Sequence, residues 1–351
     1  MGPIRTVLVG YGVGGSAFHA PVLAAVEGLE LAAVVTGNPA RRDEVRARYP
    51  RAEVIGTTDE MFARAGDFDL VVITVPNRFH VPLAGRALEA GLHVVVDKPF
   101  AGTPAEGRAL VDTAERHRRV LGVYQNRRFD GDFLTVRGLL EDDLLGDVYR
   151  FESRFERWRP QVRTEGWKEQ ADPAALGGIL YDLGAHLIDQ AVSLFGRPTH
   201  VYAEVDTRRD EALVDDDTFV ALTHEGGVRS HLWMSAAAAD LGPRFRVLGS
   251  KASYVKFGMD PQEALLRAGS GEVGAPGWGT EPPAAWGRLG TPGETVAVET
   301  APGAYQDYYA AVVRAVRGEG GPPVPAAEAL AVLEVIEAAR RSSADGVTVV
   351  M

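Results

Sequence analysis

The sequence predicts an α/β chain of two domains, a doubly wound parallel sheet followed by an α+β domain of mainly antiparallel strands. Three observations predict it. The 351 residues exceed a typical single domain of about 100–200, so two cores are expected. In the first third, short and nearly continuous apolar runs alternate with helical patterns, as parallel strands buried on both faces require. After Asp130 the runs lengthen and alternate apolar with polar, the pattern of strands buried on one face.

The first set of strands is expected at residues 7–9, 31–35, 70–75 and 92–96, with helical stretches such as 81–89 between them. This domain is read as 1–124 and the second as 125–351. The second opens with a helix ending near Glu141. Strands follow at 148–158, 201–207, 218–224 and 229–235, with a helix over 180–195 packed on one face. Residues 269–293 are rich in Gly and Pro and carry Trp278 and Trp286, so they are expected to be neither helix nor regular strand. They read as a surface excursion or as a lid. Residues 326–341 form a helix on Ala, Leu and Glu propensity.

Gly10-Tyr11-Gly12-Val13-Gly14-Gly15 places GxGxxG between strand one and a helix beginning near Val13. In that context it is the dinucleotide-binding turn of a Rossmann domain. Gly10 permits the tight turn, Gly12 lets backbone approach a pyrophosphate, and Gly15 packs helix on strand. The N–H groups from Val13 and Gly14 onward offer positive potential to phosphate. Glu30 begins the second strand and is at the wrong end to hold a ribose 2′-hydroxyl. The end of that strand carries Thr36, Asn38, Arg41 and Arg42 instead. With no acid there to repel a 2′-phosphate, NADP is favoured over NAD; alternatively both arginines are solvated helix charges. Pro76, Asn77 and His80 follow the strand at 70–75 on the ligand-binding edge. Asn77 can bond ribose or carboxamide or cap a helix, and His80 can serve the cofactor or pack in the first helical turn.

Asp97-Lys98-Pro99 ends the strand at 92–96, which directs Lys98 toward the nicotinamide end of such a site. On the helix near residue 185, Asp182, His186, Asp189 and Ser193 form one polar stripe on an otherwise apolar surface. Asp182 and His186, four apart, are neighbours able to share a substrate hydroxyl. A hydrogen-bonded structural pair and a shared metal ion are the alternatives, though no further ligands are identifiable for a metal. Gly184 costs its helix about 1 kcal/mol relative to Ala, so close approach of a cofactor or substrate is expected there.

Composition excludes several classes. A net charge of −11 gives no general reason to bind nucleic acid. The absence of cysteine removes disulfides, thiolate nucleophiles and cysteine-held zinc, and suits a reducing cytoplasm. No run approaches the ~20 apolar residues of a membrane span, and the first residues lack the pattern of a secretory leader.

Taken together, Gly10 to Gly15, Pro76-Asn77 with His80, Asp97-Lys98-Pro99, residues 125–129 and Asp182 with His186 resemble the Gfo/Idh/MocA oxidoreductases over nearly the whole chain. The resemblance implies a Rossmann domain followed by an α+β domain whose large open sheet often joins subunits, hence a homodimer or homotetramer. It maps the family's catalytic lysine, aspartate and histidine onto Lys98, Asp182 and His186, and adds Asp97 and Gln125 to the cofactor residues. Asp97 stands where Glu is usual, one methylene shorter. Residues 18–21, 158–163, 278–279 and 286–287 look most like NADP-dependent scyllo-inositol dehydrogenases. The implied reaction exchanges hydride between nicotinamide and a cyclitol or sugar carbinol. His186 would act as base, Lys98 would stabilise the alkoxide, and Asp182 would orient the substrate and the imidazole; Lys98 could itself accept the proton. Arg127, Trp158, Arg159, Arg163 and Trp167 are the further substrate candidates, since aromatic faces cover sugars and arginines donate to hydroxyls. An imine or other carbonyl reductase and a non-catalytic dinucleotide-binding regulator are the competing readings on this scaffold.

Overall fold

The computed structural model describes residues 2–162, 169 and 175–351. They group into two compact units, one comprising Met1–Asn126, Gln262–Trp278 and Ala304–Leu330, the other Arg127–Pro261, Gly279–Gly303 and Ala331–Met351.

In the first unit the strands are β1 (Ile4–Val9), β2 (Leu29–Val35), β3 (Glu53–Ile55), β4 (Leu70–Ile73), β5 (His93–Asp97) and β6 (Leu121–Tyr124). All pair in parallel in the order β3-β2-β1-β4-β5-β6. That is the doubly wound order with its switch point between β1 and β4. Val7, Leu8, Val71, Val72, Val94 and Val95 are fully buried, which explains why these strands read as unbroken apolar runs. The residues that follow β1, β2, β4, β5 and β6 therefore share one edge of the sheet. Glu30 lies near the start of β2, away from that edge.

Two later segments belong to this unit. Val123 donates its N–H to Val324 O (3.3 Å), and Gly122 bridges Pro325, so the chain returns to cover β6. Helix Tyr305–Val316 contributes Tyr305, Tyr308, Tyr309 and Val312, each fully buried.

In the second unit the strands are β7 (Val148–Glu156), β8 (Pro198–Asp206), β9 (Asp217–His224), β10 (Arg229–Ser235), β11 (Phe245–Gly249), β12 (Ser253–Lys256), β13 (Gly287–Thr291), β14 (Glu294–Val298) and β15 (Val349–Val350). Among the described residues they form one sheet, β14-β13-β12-β11-β7-β10-β9-β8-β15. Every pairing is antiparallel except β7 with β10. Along β9 burial alternates strictly, with Thr218, Val220, Leu222 and His224 inward. Helices Gly131–Glu141 and Ala185–Phe195 bury Phe133, Val136, Leu187, Ile188 and Ala191 in the same core as Phe151, Leu232 and Val247.

One expectation fails in part. Residues 287–291 of the Gly- and Pro-rich stretch are strand β13, whose hairpin with β14 turns through Thr291 to Glu294 with Gly293 at φ 89°. Its glycines hid a pairing that adjacent strands supply. No helix among the described residues is long and apolar enough to cross a membrane.

Candidate active site

The glycine turn is built as its spacing requires. Gly10 follows β1 at φ 98°, and a Cβ there would lie 3.0 Å from Thr74 O. At Gly15 a Cβ would fall 2.2 Å from Gly10 O and 2.9 Å from Thr74 Oγ1, so the helix rests directly on the turn. Gly14 would bring a Cβ within 3.2 Å of Asp97 Oδ2. Gly12 differs: nothing lies within 4 Å of its Cβ position and its φ is outside the left-handed region. Neither backbone nor neighbours demand glycine there, which fits a position reserved for a ligand's close approach. Val13, 60% exposed, opens the helix beside it. The next six residues, Gly14–His19, form a π-helical turn that closes with Ala20 N–H donating to Gly15 O. Such wide turns recur at functional sites. His19, at the end of this turn, is fully buried.

Along the same edge, Thr36 follows β2 and is 7% exposed. Asn38 Oδ1 caps helix Pro39–Arg48 by accepting Arg41 N–H at 3.1 Å. Arg42 Nε donates to Thr36 O at 3.0 Å, whereas the Arg41 side chain is exposed. Thus Arg42 braces the end of β2 and Arg41 remains at the surface. Pro76 precedes a short turn at Asn77–Phe79, with Asn77 buried. His80 places Nδ1 2.8 Å from Pro99 O and Nε2 2.8 Å from Val75 O, tying the ends of β4 and β5 together. Burial pushes its pKa down. Gln125 follows β6 and is 2% exposed.

Lys98 follows β5, and its backbone N–H donates to Asp97 Oδ1 at 2.8 Å. Burial alone would raise the Asp97 carboxyl. The facing His19, then Lys98 and to a smaller extent His80, outweigh it and hold the group below the ordinary carboxylate range. His19 Nε2 stands 3.7 Å from Asp97 Oδ2. This imidazole was not among the expected site residues, because one histidine within an apolar helix start gives no spacing signal.

In the second unit, Asp182 lies in a π-helical turn, Leu180–Gly184, that leads into helix Ala185–Phe195. Asp182 is half-buried and His186 is 6% exposed. The expected ligand at Gly184 is corrected: its Cβ would meet Leu180 Cδ1 and Met234 Sδ, both at 2.9 Å. The helix therefore needs glycine to pack on β10. Asp189, read as part of the polar stripe, is buried in a two-pronged ion pair, Arg128 Nε and Nη2 each 2.7 Å from its oxygens. Gln190 accepts from Arg244 Nη2 at 2.8 Å and donates to Arg127 O at 2.8 Å. These bonds fix the face of the helix opposite solvent. Arg127 is buried over the Phe155 ring (5.0 Å) with Asp130 3.3 Å away. Trp158 is 58% exposed and Arg159 is exposed just beyond β7. Arg163 and Trp167 lie outside the described residues.

A dinucleotide fits the first unit: an open Gly12, a free helix start at Val13, and buried polar groups along one sheet edge are what a pyrophosphate and its nucleosides need. The fold and this edge define a dinucleotide-binding oxidoreductase of the two-domain kind. Residues 4–125 match the NAD-binding Rossmann fold of the Gfo/Idh/MocA oxidoreductase family and residues 137–351 its C-terminal alpha/beta domain, and the chain belongs to that family. It is 42% identical to the uncharacterized oxidoreductase YdgJ of Escherichia coli, over 95% of this chain and 94% of that one. It is 34% identical to scyllo-inositol 2-dehydrogenase (NADP(+)) IolW of Bacillus subtilis, over 99% and 96%. The structure of YPO2259 from Yersinia pestis superposes with a TM-score of 0.92 at 38% identity, covering 100% of this chain and 97% of that one.

Proposed function

We propose that the protein is an NADP-preferring dehydrogenase that oxidises a carbinol of a cyclitol or sugar, or reduces the corresponding ketone. The observation that carries this reading is Lys98, placed beside an anionic Asp97 on the sheet edge that holds the glycine turn. The likeness to IolW, named for NADP(+) and scyllo-inositol, supports the substrate class and the cofactor. Bound nicotinamide supplies the hydride acceptor or donor. Gly10, Gly12, Val13, Gly14 and Gly15 would hold the pyrophosphate, and Thr36, Asn38 and Arg41 the adenosine ribose and its 2′-phosphate. Pro76, Asn77, Asp97, Lys98 and Gln125 would line the remainder, with His80 acting through the strand ends it ties.

In this reading the Lys98 ammonium donates to the substrate oxygen and stabilises alkoxide character as it develops. His186 takes the hydroxyl proton in oxidation and returns it in reduction, a task suited to imidazole. Asp182 accepts from a neighbouring hydroxyl and orients the imidazole. Arg127, Trp158, Arg159, Arg163 and Trp167 are the candidates for contact with the rest of the polyol.

A second copy of the chain is the proposed partner, covering the sheet face opposite the helices. There Phe219 and Trp233 pack at 5.0 Å, and Arg154 lies 4.0 Å over Trp233. Light scattering tests it: a dimeric or tetrameric mass that Phe219→Glu reduces supports the partner, and a monomeric wild type removes it.

The decisive experiment follows NADP and NAD reduction across inositols, aldoses and sugar acids, with product analysis. Lys98→Ala and His186→Ala are expected to lose about 100-fold or more in kcat, with dinucleotide binding retained in His186→Ala. Wild-type turnover in both variants would overturn the mechanism.

A further inference from the structure

The first helix carries a buried histidine that the reaction above does not use. His19 and Tyr309 are both fully buried. His19 Nδ1 meets the Tyr309 hydroxyl at 2.5 Å, and Nε2 faces Asp97 Oδ2 at 3.7 Å. Its ring is packed 4.1 Å from Tyr124, which in turn meets Tyr308 and Tyr309 at 4.8 and 5.6 Å. The imidazole is thereby fixed in place, and Nε2 has no hydrogen-bond partner among the described residues. What it faces is the carboxylate that receives the Lys98 backbone N–H.

We infer that His19 and Tyr309 are positioning residues that hold Asp97 as an oriented anion behind Lys98. The proton inventory gives the direction. Burial, then Tyr124, Tyr308 and Asp97, push the Tyr309 hydroxyl well above its ordinary pKa, so it stays protonated and donates. A neutral imidazole accepting at Nδ1 must carry its own proton on Nε2. Tyr309 therefore selects the tautomer that turns an N–H toward Asp97. The opposite tautomer would aim a lone pair at a carboxylate. The groups facing Asp97 are His19 from the first helix, Lys98 at its own strand end, His80 from the helix after β4 and Tyr309 from helix Tyr305–Val316. Three of these come from elements other than its own strand. The arrangement suits an aspartate, whose short side chain keeps Oδ2 against Gly14 and His19 while Oδ1 reaches the next backbone N–H.

The proposal rests on Lys98 being catalytic only for its consequence in turnover; the effect on Asp97 is measurable without substrate or cofactor. Full-length protein labelled with aspartate 13C at the carboxyl is titrated by NMR, the Asp97 signal being assigned by its loss in Asp97→Asn. His19→Phe keeps the ring and removes both nitrogens. Tyr309→Phe removes only the hydroxyl. In His19→Phe the Asp97 titration is expected to move up by about one pH unit or more, in Tyr309→Phe in the same direction by less, and in His19→Gln, which retains an N–H near the Nε2 position, to stay near wild type. In turnover assays the acid limb of kcat/KM moves with it, and His19→Phe adds nothing in an Asp97→Asn background. An unmoved Asp97 titration in folded His19→Phe overturns the proposal. Should that variant fail to fold, the same null shift in Tyr309→Phe overturns it. A shifted Asp97 in a protein inactive across the substrate screen leaves this inference standing and removes the proposed function; activity with no shift does the reverse.

Discussion

Gly12 and Gly15 are both glycines of one turn, yet the structure separates what each would lose on gaining a methyl group. In Gly15→Ala the new Cβ would stand 2.2 Å from Gly10 O, far inside the 3.0 Å that real Cβ atoms respect. The obstacle is backbone, so the helix must move off β1, an overpacking cost of about 1–3 kcal/mol. In a unit of this size that lowers Tm by on the order of 5 °C. Gly12→Ala meets nothing within 4 Å. Its stability should be unchanged, or raised by up to about 1 kcal/mol through the lost freedom of the unfolded chain. The methyl group would instead occupy the approach reserved for pyrophosphate, and dinucleotide affinity should fall at least about tenfold, or 1.4 kcal/mol. Ligand-free thermal unfolding and NADPH fluorescence titration of the two variants read these effects separately. A Gly12→Ala protein that binds NADPH and NADH as tightly as wild type would refute the placement of the cofactor on this turn.

If the exposed Arg41 guanidinium holds a 2′-phosphate as proposed, Arg41→Ala should weaken NADP binding about tenfold while leaving NAD unchanged; Arg42→Ala, which releases Thr36 O, should weaken both, and competitive titration with the two cofactors distinguishes them. Asp130 supplies a pH dependence. Burial, and the neighbouring Asp260 and Asp132, raise its pKa well above the ordinary value against the pull of Arg127 and Arg244. The unfolded chain therefore releases this proton first, and the group's contribution makes stability fall as pH rises from the ordinary carboxylate range toward the raised folded value. Urea unfolding across that window should show the slope in wild type and a flatter one in Asp130→Asn; equal slopes would remove Asp130 as its source. Gly184→Ala should destabilise the second unit by about 1–3 kcal/mol through contact with Met234, without altering dinucleotide affinity.

What the sequence makes legible is whatever repeats. β1, β2, β4 and β5 are apolar on both faces, so position after position reports the same environment. β9 and β10 alternate because one face only is covered. Among the strands that the pattern does not disclose, β11, β12 and β14 are four or five residues long, too short for a periodicity, and they owe their existence to the strands they pair with. Phe245 takes its place opposite Ser153, nearly a hundred positions earlier. Helix Tyr305–Val316 was likewise obscured, although it is the element that completes the interior of the first unit with three tyrosines.

The candidate site divides along the same line. Residues whose meaning lies in local spacing, such as the glycines and Lys98 at a strand end, are identifiable from order alone. Residues whose meaning lies in a partner are not. Asp189 looked like a third member of the Asp182 and His186 stripe, but Arg128 spends both its oxygens. Gly184 looked like a ligand contact, but a thioether from β10 occupies its surface. The substitution of Asp97 for the usual Glu shows the same principle from the other side. Read in sequence, it is a shortened acid of altered reach. In the fold, the carboxylate has two defined neighbours: Oδ1 accepts the Lys98 N–H at 2.8 Å and Oδ2 faces His19 Nε2 at 3.7 Å, an orientation a longer acid would have to reach from a different position. The shorter side chain and the buried His19–Tyr309 pair are thus one device, and a change to Asp97 alone, such as Asp97→Glu, should disturb the turn that carries Lys98 more than it changes the charge beside it.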